Sequence, residues 1–370
     1  MIKCEVRECL NRILHGDCVT QMKKLPDGCV DAVFADPPFN LQLGRKTLYR
    51  PEDQTAARAV RDDWDSFESL AEYDDFTRGW LTEVRRVLKP TGSLWVIGSY
   101  HNIFRVGVMM QDLGFWILND IIWVKTNPMP NFRGTRFTNA HETLVWATPE
   151  KTGKYTFNYD TMKKFNGGKQ MRSDWAMDIC LGAERLKDDD GKSLHTTQKP
   201  SDMLRRIILA STRAGDVILD PFFGSGTTGA VAKELGRNWI GIEQEGKYIA
   251  PAQSRISAVV PIDLSEIEVP AKREEVKVSF MELLDGGLLY AGQTLVGPRG
   301  DRVMITKDGQ LSHALYGKGS IHVMAARIQR AVSFNGWDYW SAEKRDGTLV
   351  SIDALRKLVR EAKQGMKKAA

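Results

Sequence analysis

The chain predicts an α/β fold, a mostly parallel sheet with helices on both faces, followed by a small α+β module. Three observations carry this. Short apolar, β-branched runs alternate with helical periodicity through the first 260 residues. The alternation dissolves over residues 261–273, where Pro261, Pro270 and mixed charges read as a linker. The charge balance also changes there. Lys+Arg against Asp+Glu is 35 to 36 over residues 1–270 and 17 to 11 over 271–370, so the excess of 52 over 47 lies in the last hundred residues. A basic module appended to a neutral domain is the electrostatic footprint of a nucleic-acid-binding extension, although a solvated face on a small domain would give the same count.

Seven strands are expected, at 13–15, 30–35, 94–98, 117–124, 142–147, 216–219 and 238–242, each a short run rich in Val, Ile, Leu and aromatic residues. Helices are expected at 18–25, 71–88, 101–113, 200–212, 227–236 and 246–258. Residues 41–66, 126–140 and 150–197 break the alternation, being polar or rich in Asn, Pro, Gly, Arg and Lys. Loops this long in a compact domain are usually functional or mobile. In the tail, residues 274–370, alternating runs at 287–295 and 302–306 precede a helix over 321–332, and a basic helix over 352–363 follows. Between them Phe334-Asn335-Gly336-Trp337-Asp338-Tyr339-Trp340 reads as extended, with Trp337 and Tyr339 on one face and Asp338 and Trp340 on the other. One face would then pack in a core while the other presents a ring.

Hydrophobic content of 42% and charged content of 27% place the chain among globular proteins rather than disordered ones. No apolar run is long enough to span a bilayer, and the start, Met1-Ile2-Lys3-Cys4-Glu5, does not read as a signal peptide. Five scattered cysteines form no Cys-x-x-Cys pair, which argues against zinc and a disulfide framework. A cytoplasmic protein without a metal is the expectation.

Two segments carry chemistry. Asp216-Val217-Ile218-Leu219-Asp220 leads into Pro221-Phe222-Phe223-Gly224-Ser225-Gly226-Thr227-Thr228-Gly229, a strand, a glycine turn and a helix start. Such a turn lets backbone approach a ligand and presents free N–H groups to it. Glu243 ends the next strand, nineteen residues after Gly224, where an acid can hold a ribose diol. The pattern fits a nicotinamide dinucleotide or S-adenosylmethionine, since both carry adenosine. Asp220 favours the second, because a carboxylate there would repel a pyrophosphate but accept from a methionine ammonium. The loop's place after some 215 residues also departs from the dinucleotide pattern.

The other segment, Asp36-Pro37-Pro38-Phe39, directly follows the run 30–35. An exocyclic amine on a base is a poor nucleophile because its lone pair is delocalised into the ring. Asp36 and the Pro37 carbonyl can accept hydrogen bonds from it and favour the pyramidal nitrogen of the transition state. Consecutive prolines fix where that carbonyl points, and Phe39 offers a stacking face. Such a base must leave the duplex first. Methylation at cytosine C5 needs a thiolate nucleophile, and no Pro-Cys dipeptide is present.

On these segments the chain resembles the β-group N6-adenine DNA methyltransferases, in which the Asp-Pro-Pro-aromatic motif precedes the cofactor loop. N4-cytosine enzymes are similar but more often carry Ser at the first position, so Asp36 points to adenine. The likeness extends to Ile13-Leu14-His15-Gly16-Asp17-Cys18, to Gly98-Ser99-Tyr100-His101-Asn102-Ile103-Phe104-Arg105, to residues 127–137 and to His195-Thr196-Thr197-Gln198-Lys199-Pro200. Over nearly the whole chain it resembles the cell-cycle-regulated methyltransferases of alphaproteobacteria (CcrM type), which modify adenine in GANTC. Phe39 stands where many relatives have Tyr.

The resemblance implies a Rossmann-like S-adenosylmethionine-dependent methyltransferase fold with permuted motif order. It implies a catalytic domain over 1–260, a linker over 261–273 and a DNA-recognition module over 274–370. Double-stranded DNA would be the partner, no membrane is involved, and a homodimer is compatible with the family. Asp17 would contact the cofactor adenine beside Cys18, and Lys199 would approach the methionine carboxylate, with Asp220, Phe222, Gly224, Ser225, Gly226, Thr227, Thr228 and Glu243 completing the cofactor site. Helix capping by Asp17 and a solvated Lys199 are the plainer alternatives. For DNA, Leu41, Leu43 and Arg45 would enter the gap left by the flipped base. Asn127, Arg133 and Arg136 would read from the central loop, and Ser320, Asn335 and Trp337 from the tail. An NAD-linked oxidoreductase leaves Asp36–Phe39 unexplained, and a DNA-binding regulator without catalysis leaves the intact motif set unexplained.

Overall fold

The computed structural model describes residues 5–41, 48–49, 56–57, 65–131, 134–151, 153–187, 191, 193–195, 197–269, 277–344 and 347–369. Leu43, Arg45 and Arg133 lie outside the described residues. Contacts divide the chain into two units, 1–271 and 272–370.

The first unit runs α1 (Val6–Cys9), β1 (Arg12–His15), α2 (Cys18–Met22), β2 (Val30–Ala35), β3 (Leu48–Tyr49), β4 (Ala56–Ala57), α3 (Leu70–Val87) and β5 (Leu88–Gly98). It continues with α4 (Ile103–Asp112), β6 (Trp116–Lys125), β7 (His141–Thr148), α5 (Tyr159–Phe165) and β8 (Asp174–Met177). Helix α6 (Ser201–Ser211), β9 (Val217–Asp220), α7 (Thr227–Glu234), β10 (Asn238–Glu243) and α8 (Gly246–Ala258) complete it. One sheet has the order β1-β10-β9-β2-β5-β7-β6-β8. Strands β1, β10, β9, β2 and β5 are mutually parallel, while β7 is antiparallel to both neighbours.

All seven expected strands form. The sheet nevertheless has eight strands among the described residues, because β8 and α5 occupy part of the stretch 150–197 expected to be loop. The reason is local: β8 is four residues long and only its alternate positions Trp175 and Met177 are buried, so it barely differs from polar loop in sequence. Parallel pairing with the end of β6 supplies what its pattern lacks.

Helices cover both faces, as buried parallel strands require. Helix α3 shows why its sequence is helical. Ser69 caps it by accepting from the Glu72 N–H, and Tyr73, Thr77, Trp80, Leu81, Val84 and Val87 recur on one face and are buried. Two hydrophobic clusters result. One holds Trp95, Trp146, Trp175, Phe223 and Trp239, the other Trp80, Leu94, Val96 and Ile240. No helix among the described residues is long and apolar enough to cross a membrane.

The second unit comprises α9 (Phe280–Asp285), β11 (Thr294–Val296), β12 (Arg302–Ile305), β13 (Leu311–His313), β14 (Gly317–Gly319), α10 (Ile321–Gln329), α11 (Gly336–Tyr339), β15 (Ser341–Glu343), β16 (Leu349–Ser351) and α12 (Ile352–Ala369). Its strands form an antiparallel sheet ordered β14-β13-β12-β11-β15-β16 around Leu295, Ile305, Leu311, Met324 and Trp340. Here the expectation of an extended segment with faces divided at Trp337 fails. Residues 336–339 are a helical turn capped by Asn335, whose side chain accepts from the Trp337 N–H. Trp337, Tyr339 and Trp340 are all buried in one core. A capping Asn ahead of Gly336 starts a turn, and tertiary packing overrides the β-propensity of four aromatic residues in seven.

Candidate active site

Strands β2 and β9 are neighbours, with Val33 beside Leu219, so the segments that follow them emerge together at the carboxyl edge of the sheet. The crevice there is the usual ligand site of an open α/β sheet. It brings Asp36 and the loop at 220–228 to one place although some 185 residues separate them. Asp220 also lies beside Gly241 of β10, so Glu243 joins the same edge. A cleft of about 800 Å³ results, lined by Asp36, Pro37, Pro38, Phe39, Leu41, Cys18, Lys199, Phe222, Gly224, Glu243 and Tyr248 among others. A smaller recess shares Asp36, Lys199, Phe222 and Gly224 and adds Asp220, Ser225, Thr227 and Thr228.

The Asp36–Phe39 turn is held by residues outside its own motif. Asn40 has φ of 52°, a left-handed conformation that Asn tolerates, and turns the chain after Phe39. Asp65 accepts from the Asn40 N–H at 2.7 Å and the Leu41 N–H at 3.2 Å. Tyr73 donates its hydroxyl to the Pro38 carbonyl at 2.9 Å and accepts from Asn102 Nδ2 at 3.1 Å. Asn102 Oδ1 in turn accepts from the Ser99 N–H at 3.0 Å, which ties the turn to the end of β5. Asp65 sits in an irregular stretch and Tyr73 reads as core periodicity, so neither announces its role in sequence.

Around Asp36 the structure assembles a buried set of charges. Lys199 Nζ lies 2.9 Å from Asp36 Oδ2 and 3.8 Å from Glu142 Oε2, and 5.0 Å from the centroid of the Phe39 ring. Lys125 Nζ lies 2.7 Å from Glu142 Oε1. Burial pushes the Asp36 carboxyl up to about 6, with Lys199 opposing and Glu142 and Asp65 reinforcing the rise. Burial also opposes ionisation of Glu142, but the Lys199 and Lys125 ammoniums outweigh it and hold that carboxyl below its ordinary range. Lys199 is raised for the reciprocal reason, its burial outweighed by Asp36 and Glu142. Lys199, expected at a methionine carboxylate or else solvated, is not solvated: it is buried against Asp36 and lines the cleft. Glu142 was missed, although an acid opening a buried apolar strand is a legible signal.

The glycine loop is shaped by packing. Gly226 caps α7 with φ of 73°, and a Cβ there would meet Ala252 Cβ at 2.9 Å. Glu243 accepts from the Gly224 N–H at 2.6 Å and the Glu245 N–H at 2.7 Å. Asp220 accepts from Phe222 N–H at 2.9 Å and Thr228 Oγ1 at 2.6 Å, and burial raises its carboxyl to about 7 against those two bonds. His195 packs edge-on to Tyr248 and lines both cavities; burial, then Lys199, lowers it to about 4, so it is neutral at physiological pH. Burial raises the Cys18 thiol to about 12, which makes it an inert wall of the cleft.

Within the first unit, Asp17, Asn127 and Arg136 do not line the cleft. Asp17 is exposed and caps α2, accepting from Thr20 N and Oγ1 at 2.8 and 2.7 Å, while its neighbours Gly16 and Cys18 line the cleft. Asn127 Oδ1 accepts from the Ile179 N–H at 2.8 Å, and Arg136 stacks over Tyr100 at 5.7 Å. In the second unit Ser320 caps α10 and Asn335 caps α11, and Arg356 lies 4.4 Å over the buried Trp337 ring. Among the described residues no cluster of His, Cys, Asp or Glu could hold a metal.

A mostly parallel sheet with an acid-proline-proline-aromatic turn beside a glycine loop and a strand-end acid defines an S-adenosylmethionine-dependent methyltransferase fold. The DNA methylase family matches residues 30–254. Type II methyltransferase M.HinfI of Haemophilus influenzae is 46% identical over 361 residues, covering 96% of this chain and 98% of that protein. Type II methyltransferase M2.LlaDCHI of Lactococcus lactis subsp. cremoris is 43% identical over 246 residues, 66% of this chain and 88% of that protein. The structure of PvuII DNA methyltransferase (cytosine-N4-specific) superposes with a TM-score of 0.51 at 21% identity, covering 69% of this chain and 89% of that one. The chain belongs to the DNA methylase family and is an S-adenosylmethionine-dependent DNA methyltransferase.

Proposed function

We propose that this enzyme methylates N6 of an adenine flipped out of double-stranded DNA, within GANTC. The observation that carries the adenine reading is Asp36 at the head of its motif, lining the cleft that the glycine loop shares. GANTC rests on the resemblance of the segments at 98–105, 127–137 and 195–200.

The cleft fits the cofactor chemically. Phe222, Ile242 and Tyr248 offer apolar walls for an adenine, Glu243 keeps a buried carboxylate for ribose hydroxyls, and Asp220 with residues 224–228 frames the amino-acid end. Bound S-adenosylmethionine supplies a sulfonium methyl: the amine lone pair forms the N–C bond, the S–C pair returns to sulfur, and one amine proton is released. The protein's part is positioning. Asp36 accepts from the target amine and is the first acceptor for the released proton, the Pro37 carbonyl is the second acceptor, and Phe39 stacks on the base. With Tyr73 holding the Pro38 carbonyl, the turn is preorganised before the base arrives.

The basic second unit reads DNA, Leu41 fills space left by the flipped base, and the enzyme works in the cytoplasm as a homodimer. The test is incubation with labelled S-adenosylmethionine and duplexes containing GANTC or single-base variants, followed by nucleoside analysis. N6-methyladenine confined to GANTC is expected. N4-methylcytosine, or label spread evenly over the variants, overturns the reading.

A further inference from the structure

Glu142 stands outside the chemistry above, yet it is the second carboxylate within reach of the cation on the catalytic acid. Oxygen Oε1 is taken by Lys125, whereas Oε2 is buried and has no hydrogen-bond partner. Lys199 Nζ lies 3.8 Å from Oε2 and is already bonded to Asp36 at 2.9 Å. Lys199 is itself buried, so it cannot leave for solvent. This creates a conflict in the reaction. A target amine must bond to Asp36, but a neutral amine competes poorly with an ammonium for a carboxylate, because charge-assisted bonds are roughly twice as strong. The register supplies an outlet. Glu142 is the second residue of β7, just beyond the Gly98–Thr143 pairing with β5 and opposite Trp123 of β6, and Lys125 ends β6 two residues further on, so the Glu142–Lys125 pair stands at the carboxyl edge beside the catalytic turn.

We propose that Glu142 is a positioning residue for methyl transfer. It is the second seat of the Lys199 ammonium, which shifts from Asp36 to the unpartnered Glu142 Oε2 when the target amine docks and so releases Asp36 to accept from it. The shift keeps the buried charges balanced, two ammoniums against two carboxylates, and needs only side-chain torsion. It rests on the amine-methylation reading but is indifferent to whether the amine is adenine N6 or cytosine N4. The charged and titratable groups that bear on Asp36 and Glu142 are Lys199, Lys125, Asp65, His141 and Asp220.

Glu142→Gln in the full-length enzyme tests this, since the amide still accepts from Lys125 but offers no anionic seat. The plateau of kcat against pH is expected to fall about tenfold or more, corresponding to about 1.4 kcal/mol, while the Kd for S-adenosylmethionine stays within about twofold. The acid limb of the profile should move to lower pH, because Lys199 stays on Asp36 and one neighbouring negative charge is gone. Glu142→Asp, which keeps the charge at shorter reach, should restore part of the plateau. An unchanged plateau, a fallen plateau with an unmoved acid limb, or an aspartate variant no better than glutamine overturns the proposal. If the glutamine variant does not fold, the aspartate variant alone decides: a lowered plateau supports the proposal and a wild-type plateau overturns it. Product analysis of the wild type reads the proposed function separately, since methylation of no exocyclic amine would remove that reading itself.

Discussion

Tyr73→Phe tests whether the catalytic turn is held from below. The hydroxyl is buried, donates to the Pro38 carbonyl at 2.9 Å and accepts from Asn102 Nδ2 at 3.1 Å. The ring packs against Phe67 and Phe76, and those contacts survive the substitution. What is lost is therefore one carbonyl and one amide N–H left without this partner, each worth about 1–3 kcal/mol when buried and unpaired. Partial relaxation brings the expected loss of stability to about 2–4 kcal/mol, read as a lower urea midpoint with an unchanged slope. The turn should also lose definition at Pro37 and Phe39. Because misplacement of reacting groups by about 1 Å costs on the order of a hundredfold, a shift of a few tenths of an ångström should lower kcat about tenfold. Cofactor affinity should hold, since Glu243, Asp220 and the glycine loop hang on β9 and β10. Single-turnover methylation of a GANTC duplex and calorimetric titration of the cofactor measure the two halves. A destabilised variant with wild-type kcat would refute preorganisation through Tyr73, and a variant unchanged in both would refute the hydrogen-bond chain itself.

Four further outcomes are expected. Asp36→Ala should abolish methyl transfer while the folded protein still binds cofactor, and loss of cofactor binding would contradict the assigned role. Because the Asp36 carboxyl is raised to about 6 in the folded protein against about 3.9 unfolded, it favours folding fully below about pH 4, and that contribution is lost as pH rises to about 6. The stability difference between wild type and Asp36→Asn should thus fall by on the order of 2–3 kcal/mol across this window, and a rise in chemical-denaturation profiles would reverse the sign of the argument. Gly241→Ala drives a methyl to within 2.5 Å of the Phe223 ring, itself stacked on Trp239, and should cost about 1–3 kcal/mol by thermal unfolding. Removing residues 272–370 deletes the whole basic excess and should weaken duplex binding and flatten its salt dependence; normal methylation by the truncated chain would end the DNA-reading role of that unit.

Much of this site was legible in residues alone. The run 30–35 demands a buried strand, Pro37 and Pro38 demand that it end, and the glycines at 224, 226 and 229 demand a tight strand-to-helix turn. These are local facts of sterics and hydrophobic pattern, and each appears in the structure where expected. Strand β8 and helix α5 were illegible because short, half-buried elements carry too few apolar positions to stand out from loop. The segment at 334–340 misled because its aromatic residues suit a strand, while the Asn335 cap and a shared core dictate a helical turn.

Residue types and spacing by themselves determined that an acid, two prolines and an aromatic ring would form one grip and that a glycine loop would form another. Tertiary structure decided what surrounds Asp36. Strand order set β2 beside β9, the antiparallel return of β7 brought Glu142 to the same edge, and the segment before α6 delivered Lys199 between the two carboxylates. No local pattern encodes that meeting. It depends on which strands pair and on the requirement that charges taken out of water find partners, a condition that only the folded interior imposes.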